Sequence, residues 1–261
     1  MNRIDQLFEQ KKEPVLSIYC TAGFPRRDDT LSVISSLQHH GADMVELGIP
    51  FSDPLADGPV IQQSGKQALD NGMTLELLFE QLQDLRKEIH IPVLLMGYLN
   101  PVMQMGMKPF LQQCSRVGID GVILPDLPLY EYEEEYRSLF EELDIHAVFL
   151  VTPETDDERL RKIDALSKGF LYAVSSSSTT GKDKDLQQQE HYFRRLKEMQ
   201  LKNPVLVGFS IKDNDTFKAA TAHTRGGIIG TAYIRALQEG PDTDTATRSF
   251  IRKVKPDSID A

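Results

Sequence analysis

The chain has 261 residues, of which 40% are hydrophobic and 26% charged, the balance of an ordinary soluble globular protein. That length holds one large α/β barrel or two small domains. A net charge of −10 without a local basic patch argues against a nucleic-acid or anionic-membrane surface.

The first residues carry no apolar signal-peptide core, and no run is long enough to span a membrane. Cys20 and Cys114 have neither metal-ligand nor paired redox spacing. A reduced, cytoplasmic compartment is the expectation.

Residues 2–11 read as a short amphipathic helix with Ile4, Leu7 and Phe8 on one face. Residues 15–22 read as a strand, and Asp28, Asp29 and Thr30 open a helix through Leu37. His39 and His40 close it, placed to meet its terminal carbonyls. The alternation then repeats. Strands are expected at 42–49, 93–98, 121–126, 146–152, 170–175, 205–209 and 226–231, with helical patterns between them. The acidic run Glu131 to Glu135 reads as the solvated side of one helix. Eight apolar strands alternating with helices predict a single-domain (β/α)8 TIM barrel over 1–261, preceded by the short N-terminal helix. A doubly wound open sheet is the alternative architecture.

Barrel chemistry is placed where strands end. Alternation along 42–49 sets Met44, Glu46 and Gly48 on one face, so a carboxylate lies inside an apolar run. It needs a partner or a raised pKa. Asp57 follows on a loop that can fold back over the strand end, and Pro59 suits a first helical turn. Two carboxylates in different environments suit acid–base work. Tyr19, Tyr98, Asn100, Asp126 and Tyr172 fall at the same end of the predicted barrel. Gly181 with Thr180, Gly208 to Ser210, and Gly230 with Thr231 follow the last strands, where barrels often hold phosphate. With no Lys or Arg in 208–210 or 230–231, backbone amides are the expected phosphate ligands. No lysine lies in a predicted strand, so a Schiff base is disfavoured. No metal-ligand spacing or nucleotide-binding glycine motif occurs, so neither metal nor nicotinamide chemistry is expected.

The segment Val45 to Pro59, reading Val-Glu-Leu-Gly-Ile-Pro-Phe-Ser-Asp-Pro-Leu-Ala-Asp-Gly-Pro, resembles the signature of tryptophan synthase alpha subunits. Tyr-Cys-Thr-Ala-Gly-Phe-Pro at 19–25, Met-Gly-Tyr-Leu-Asn-Pro-Val at 96–102 and Gly-Ile-Asp-Gly-Val-Ile-Leu-Pro-Asp-Leu-Pro at 118–128 extend the likeness. The resemblance implies a barrel lyase that cleaves indole-3-glycerol phosphate to indole and glyceraldehyde 3-phosphate. It implies no cofactor in this chain, and an α2β2 complex with a pyridoxal-phosphate beta subunit beside residues 50–59. It also implies Glu46 as acid–base, Asp57 at the indole N–H and Tyr172 as a further active-site residue. Tyr19, Ile61, Tyr98, Ile123, Thr180 and Phe209 would pack the substrate. Gly181, Ser210, Gly230 and Thr231 would hold phosphate.

Two departures bear on that last set. Ser178 stands where family members usually carry glycine, and Ser210 replaces the second glycine of a Gly-Phe-Gly run. Residues 176–189 have one large apolar side chain, Leu186, and read as a lid that orders on phosphate binding. Another phosphate-binding barrel enzyme, or a non-catalytic barrel that activates a beta subunit, are the competing functions.

Overall fold

The computed structural model describes residues 1–174, 182–208 and 211–256, with 182–189 as backbone only. Among the described residues nine parallel strands make one sheet: β1 (Val15–Thr21), β2 (Met44–Gly48), β3 (Val93–Met96), β4 (Gly121–Ile123), β5 (His146–Val148), β6 (Leu150–Val151), β7 (Leu171–Val174), β8 (Val205–Gly208) and β9 (Gly226–Ile229). Their order is β5-β4-β3-β2-β1-β9-β8-β7-β6. The two edges, β5 and β6, are consecutive in the chain with only Phe149 between them. The first pairs with β4 and the second with β7. One expected strand, 146–152, thus divides its length between two neighbours and closes the sheet into an eight-unit barrel. Strands buried on both faces explain why the apolar runs showed so little polar alternation.

Helices cover the outside. Pro59 is the first residue of helix Pro59–Asp70, as its missing N–H allows. Thr74 caps Leu75–Gln81 by accepting from the Leu77 N–H, and Asp156 caps Asp157–Leu166 through the Arg159 N–H. His40 bonds Asp244 at 2.9 Å instead of a helix carbonyl, linking helices Thr30–His39 and Thr243–Val254. The second half of the expected lid, 182–189, belongs to helix Lys182–Glu198, consistent with its Lys, Gln and Leu content. Its first half, 176–181, lies outside the described residues.

The barrel interior holds Val15, Met44, Leu94, Ile123, Val148, Phe170, Leu206 and Ile228. Ile4, Leu7 and Phe8 of helix Arg3–Gln10 plug its lower end, with Phe8 and Phe170 ring centroids 6.4 Å apart. A buried charge cluster holds the plug. Asp120, 2% exposed, takes Arg3 on one oxygen and Arg86 with the Val93 N–H on the other. Asn2 donates to the Asp120 and Asp144 carbonyls.

Removing one member of a buried pair leaves uncompensated charge. Asp120→Ala should therefore cost ~3–5 kcal/mol by denaturant unfolding. Asp70→Ala, which breaks an exposed pair with Lys66, should cost under ~1 kcal/mol.

Candidate active site

A cavity of about 550 Å³ opens at the C-terminal ends of the strands. That size suits a small organic ligand. Tyr19 on β1, Leu150 on β6, Tyr172 and Val174 on β7, Gly208 on β8 and Ile228 on β9 form its walls. The loop after β2 supplies Ala56, Asp57 and Gly58, and Ile61 follows from its helix. The rim beyond β8 and β9 carries Lys212, Gly230, Thr231 and Arg235.

Two glycines make room for the two tyrosines. A Cβ on Gly48 would stand 2.1 Å from the Tyr19 hydroxyl oxygen, and one on Gly208 would stand 2.3 Å from Tyr172 Cε1. Register sets Thr21 beside Gly48 and Tyr19 beside Glu46. The Tyr19 ring therefore rises from the Glu46 layer over the bare Gly48 backbone. Burial pushes both phenols well above their ordinary pKa, so they are neutral hydroxyls at any working pH.

Glu46 is 0% exposed. Its Oε1 accepts from Ser17 Oγ at 2.9 Å, and its Oε2 has no partner. Burial raises its pKa to about 8, and the Ser17 bond only partly opposes this. Ser17 sits two residues before Tyr19 on β1, so the carboxyl is held low in the barrel. Glu46 does not itself line the cavity.

Asp57 is half-buried at the mouth. Tyr98 donates its hydroxyl to Asp57 Oδ2 at 3.0 Å and accepts from the Ala56 N–H at 3.0 Å. The Tyr98 ring also packs on Phe51, with centroids 5.4 Å apart. One aromatic side chain on the β3 loop thus anchors the loop after β2 on three sides. Desolvation raises the Asp57 pKa, and the Tyr98 bond opposes it.

Several expectations need correction. Asn100 and Asp126 do not face the cavity. Helix Leu99–Met105, unseen in the sequence, takes both: Asp126 accepts from the Leu99 N–H at 2.9 and 3.0 Å, and Asn100 bonds Gln104 within the helix. Ile123 lies in the barrel interior, and Tyr98 meets the cavity lining through its bonds to Asp57 and Ala56. The expected strand 226–231 ends at Ile229, and Thr231 starts helix Thr231–Glu239 with Gly230 as its uncapped N-cap. A Cβ on Gly230 would come 3.4 Å from Ile61 and Tyr19, so the glycine backbone faces the cavity. Thr180, Gly181, Phe209 and Ser210 lie outside the described residues. Lys212 and Arg235 were missed. Reading Thr231 as a strand residue hid its i,i+4 relation to Arg235. Among the described residues no cluster of His, Cys, Asp and Glu could hold a metal ion. No helix there is long and apolar enough to cross a membrane.

Comparison with known proteins decides the family. The model of the tryptophan synthase alpha chain family matches residues 6–256. The chain belongs to that family. It is 52% identical over 257 residues to the tryptophan synthase alpha chain of Phocaeicola vulgatus, covering 98% of this chain and 100% of that one. The crystal structure of tryptophan synthase subunit alpha from Legionella pneumophila superposes with a TM-score of 0.89 at 34% identity, covering 97% of each chain. The tryptophan synthase complex from Pyrococcus furiosus contains a chain matching at TM-score 0.81 and 31% identity, covering 93% of this chain and 98% of that one.

The alpha chain's raised Glu46 pKa has a stability consequence. Between pH 4.5 and about 8 the folded state keeps a proton that the unfolded chain has released. Stability therefore falls as pH rises across that window and stays low above it. Glu46→Gln removes the titration. Its melting temperature should exceed wild type by ~2 °C or more at pH 9, and by much less at pH 5, in calorimetric scans.

Proposed function

We propose that the cavity under the loop after β2 is where this alpha chain cleaves indole-3-glycerol phosphate, with Glu46 moving the protons and Asp57 holding the indole. As a family member the chain is a carbon–carbon lyase that releases indole and glyceraldehyde 3-phosphate and pairs with a tryptophan synthase beta subunit. The observation that carries the residue assignment is the pair of carboxylates in opposed environments, one dry and one hydrogen-bonded at the mouth.

The chemistry follows from that pair. With its pKa near 8, Glu46 enters the reaction protonated at neutral pH. It gives its proton to indole carbon 3, which makes the ring an electron-accepting indolenine. The positive charge on the ring nitrogen is balanced by Asp57, whose carboxylate takes the N–H. Glu46, now ionised, removes the proton from the glycerol hydroxyl beside the scissile bond. That carbon–carbon bond breaks, its electrons restore the aromatic ring, and the hydroxyl carbon leaves as an aldehyde. Glu46 ends protonated, as it began. To reach carbon 3 its carboxyl must leave Ser17 and turn up toward the cavity. The orphan Oε2 lowers the cost of that turn, because only one hydrogen bond is broken. Tyr172 and Tyr19 serve as neutral walls. Gly230 and Thr231 offer the first turn of an uncapped helix to phosphate, and Gly181 and Ser210 are assigned to it by family resemblance. We assign no cofactor to this chain; pyridoxal phosphate belongs to the beta subunit. The catalytic unit is one barrel domain, 1–261, placed in the cytoplasm.

Glu46→Gln should lower indole release by at least ~100-fold while keeping the fold, and Asp57→Asn should lower it by ~10-fold or more. Indole is assayed from indole-3-glycerol phosphate with beta subunit present. Wild-type turnover in folded Glu46→Gln refutes the assignment. For wild type, kcat/KM should decline above pH ~8 as free Glu46 loses its proton.

The partner surface lies over the same loop. Leu55, 94% exposed, stands on the loop after β2, and Tyr130, 70% exposed, on the short helix Leu129–Glu131 after β4, with Met103 between them in sequence. Large apolar side chains left in water at the barrel mouth suit a protein interface. Leu55→Asp with Tyr130→Asp should weaken beta-subunit binding by ~10-fold or more in calorimetry. Unchanged affinity would move the interface elsewhere.

A further inference from the structure

Every group expected to hold the phosphate was a backbone amide or hydroxyl, yet two cations line the same cavity. Lys212 lies four residues beyond Gly208, at the end of β8. Arg235 lies four residues beyond Thr231, the first residue of its helix. Helical side chains tilt toward the N-terminus, and i,i+4 residues share a face. The Arg235 guanidinium is thus directed back along its helix toward Thr231 and Gly230, and not away from the cavity.

Lys212 lies near enough to Asp213 to help lower its pKa, but neither cation is tied down by a bond among the described residues. Among the described residues no ion pair or side-chain hydrogen bond takes Lys212 or Arg235, whereas Arg3, Arg86, Lys11 and Lys255 at the opposite end of the barrel are ion-paired to Asp120 and Asp43. The nearest anion to Lys212 in sequence, Asp213, is occupied. It accepts from the Thr216 N–H at 3.0 Å and from its hydroxyl at 2.6 Å, capping the helix that follows. Both cations are exposed at the rim and not buried in the floor. The chain carries a net charge of −10, and the cavity lining already includes the Asp57 carboxyl. A phosphate dianion approaching such a surface is repelled unless cations reverse the local field.

We propose that Lys212 and Arg235 are positioning residues that capture and orient the phosphate of the substrate from opposite sides of the β8–β9 rim. They supply charge from side chains, and the helix N-terminus supplies directed N–H groups. The proposal rests on the cleavage site assigned above and deepens it. Rim charges act on encounter more than on the chemical step. Their signature is therefore a KM effect that weakens with salt.

The test uses the full chain with beta subunit. Lys212→Met, Arg235→Met and the double variant are assayed for indole release across ionic strength. The double variant should lose ~10-fold in kcat/KM at low salt, mostly through KM, and its salt dependence should flatten. Lys212→Arg and Arg235→Lys should keep both values near wild type. Calorimetry with glycerol 3-phosphate should show weakened binding in the double variant, while inhibition by uncharged indole stays unchanged. A fall carried by kcat, an unaltered salt slope, or equal loss for indole and glycerol 3-phosphate overturns the proposal. Absence of indole release by wild type would instead count against the cleavage site, while indifference of glycerol 3-phosphate binding to both substitutions would count against the two cations alone.

Discussion

The division of one strand between two neighbours governs the molecule. Residues 146–148 pair with β4 and 150–151 pair with β7, and this pairing turns an open sheet into a closed interior. A closed interior has two ends and must be filled. The lower end is filled by Ile4, Leu7 and Phe8 and locked by the Asp120 cluster. The upper end is left unfilled because its top layer is built from glycines. Gly48 and Gly208 give their side-chain volume to Tyr19 and Tyr172, and Gly230 gives none at all. Packing that is dense below and absent above leaves a cavity at one end only.

That asymmetry sets the two carboxyls apart. Glu46 is inside the closed interior, where one hydroxyl is its sole partner. An apolar side chain of similar volume would stabilise the barrel more, since a buried carboxyl oxygen left without a partner costs on the order of 1–3 kcal/mol even when the group is neutral. Its presence is a stability sacrifice at the point where the proposed reaction needs a proton held at neutral pH. Asp57 sits where water and Tyr98 can still solvate it, so it can meet a developing positive charge. The same burial gradient that runs up the barrel leaves one carboxyl dry and the other within reach of water, the contrast on which the proposed acid and counter-ion roles rest.

Much of this was legible in the residues. Eight apolar runs at helix-spaced intervals indicate a barrel, and Glu46 inside such a run indicates a perturbed acid. The failures have a common cause, which is that strand ends are short-range events that periodicity cannot locate. Leu99–Met105 is a helix because Asp126, distant in sequence, caps its first N–H. That same bond removes Asp126 and Asn100 from the site. β9 stops at Ile229 and a helix starts one residue later, so Thr231 and Arg235 share a face that no strand reading would give. The placement of Glu46 below the cavity was likewise out of reach, because it depends on Ser17, 29 residues earlier.

Those boundaries also fix the polarity of the cavity. Asp57 arrives on the loop after β2, whereas Lys212, Gly230, Thr231 and Arg235 arrive after β8 and β9. In strand order β2 and β9 are separated by β1, whose Tyr19 stands between them. A negative wall and a positive wall therefore flank one aromatic ring. An indole whose nitrogen seeks an acceptor and whose phosphate seeks cations has a single favourable orientation across that ring, because the reverse sets a dianion against Asp57. On the proposed assignment, that orientation sets the scissile bond between the two walls, on the side of the strand pair that carries Tyr19 and Glu46 at one level. In the proposed mechanism, binding charge at both ends of the substrate is thus what brings its central carbon toward Glu46, whose burial keeps it protonated at neutral pH.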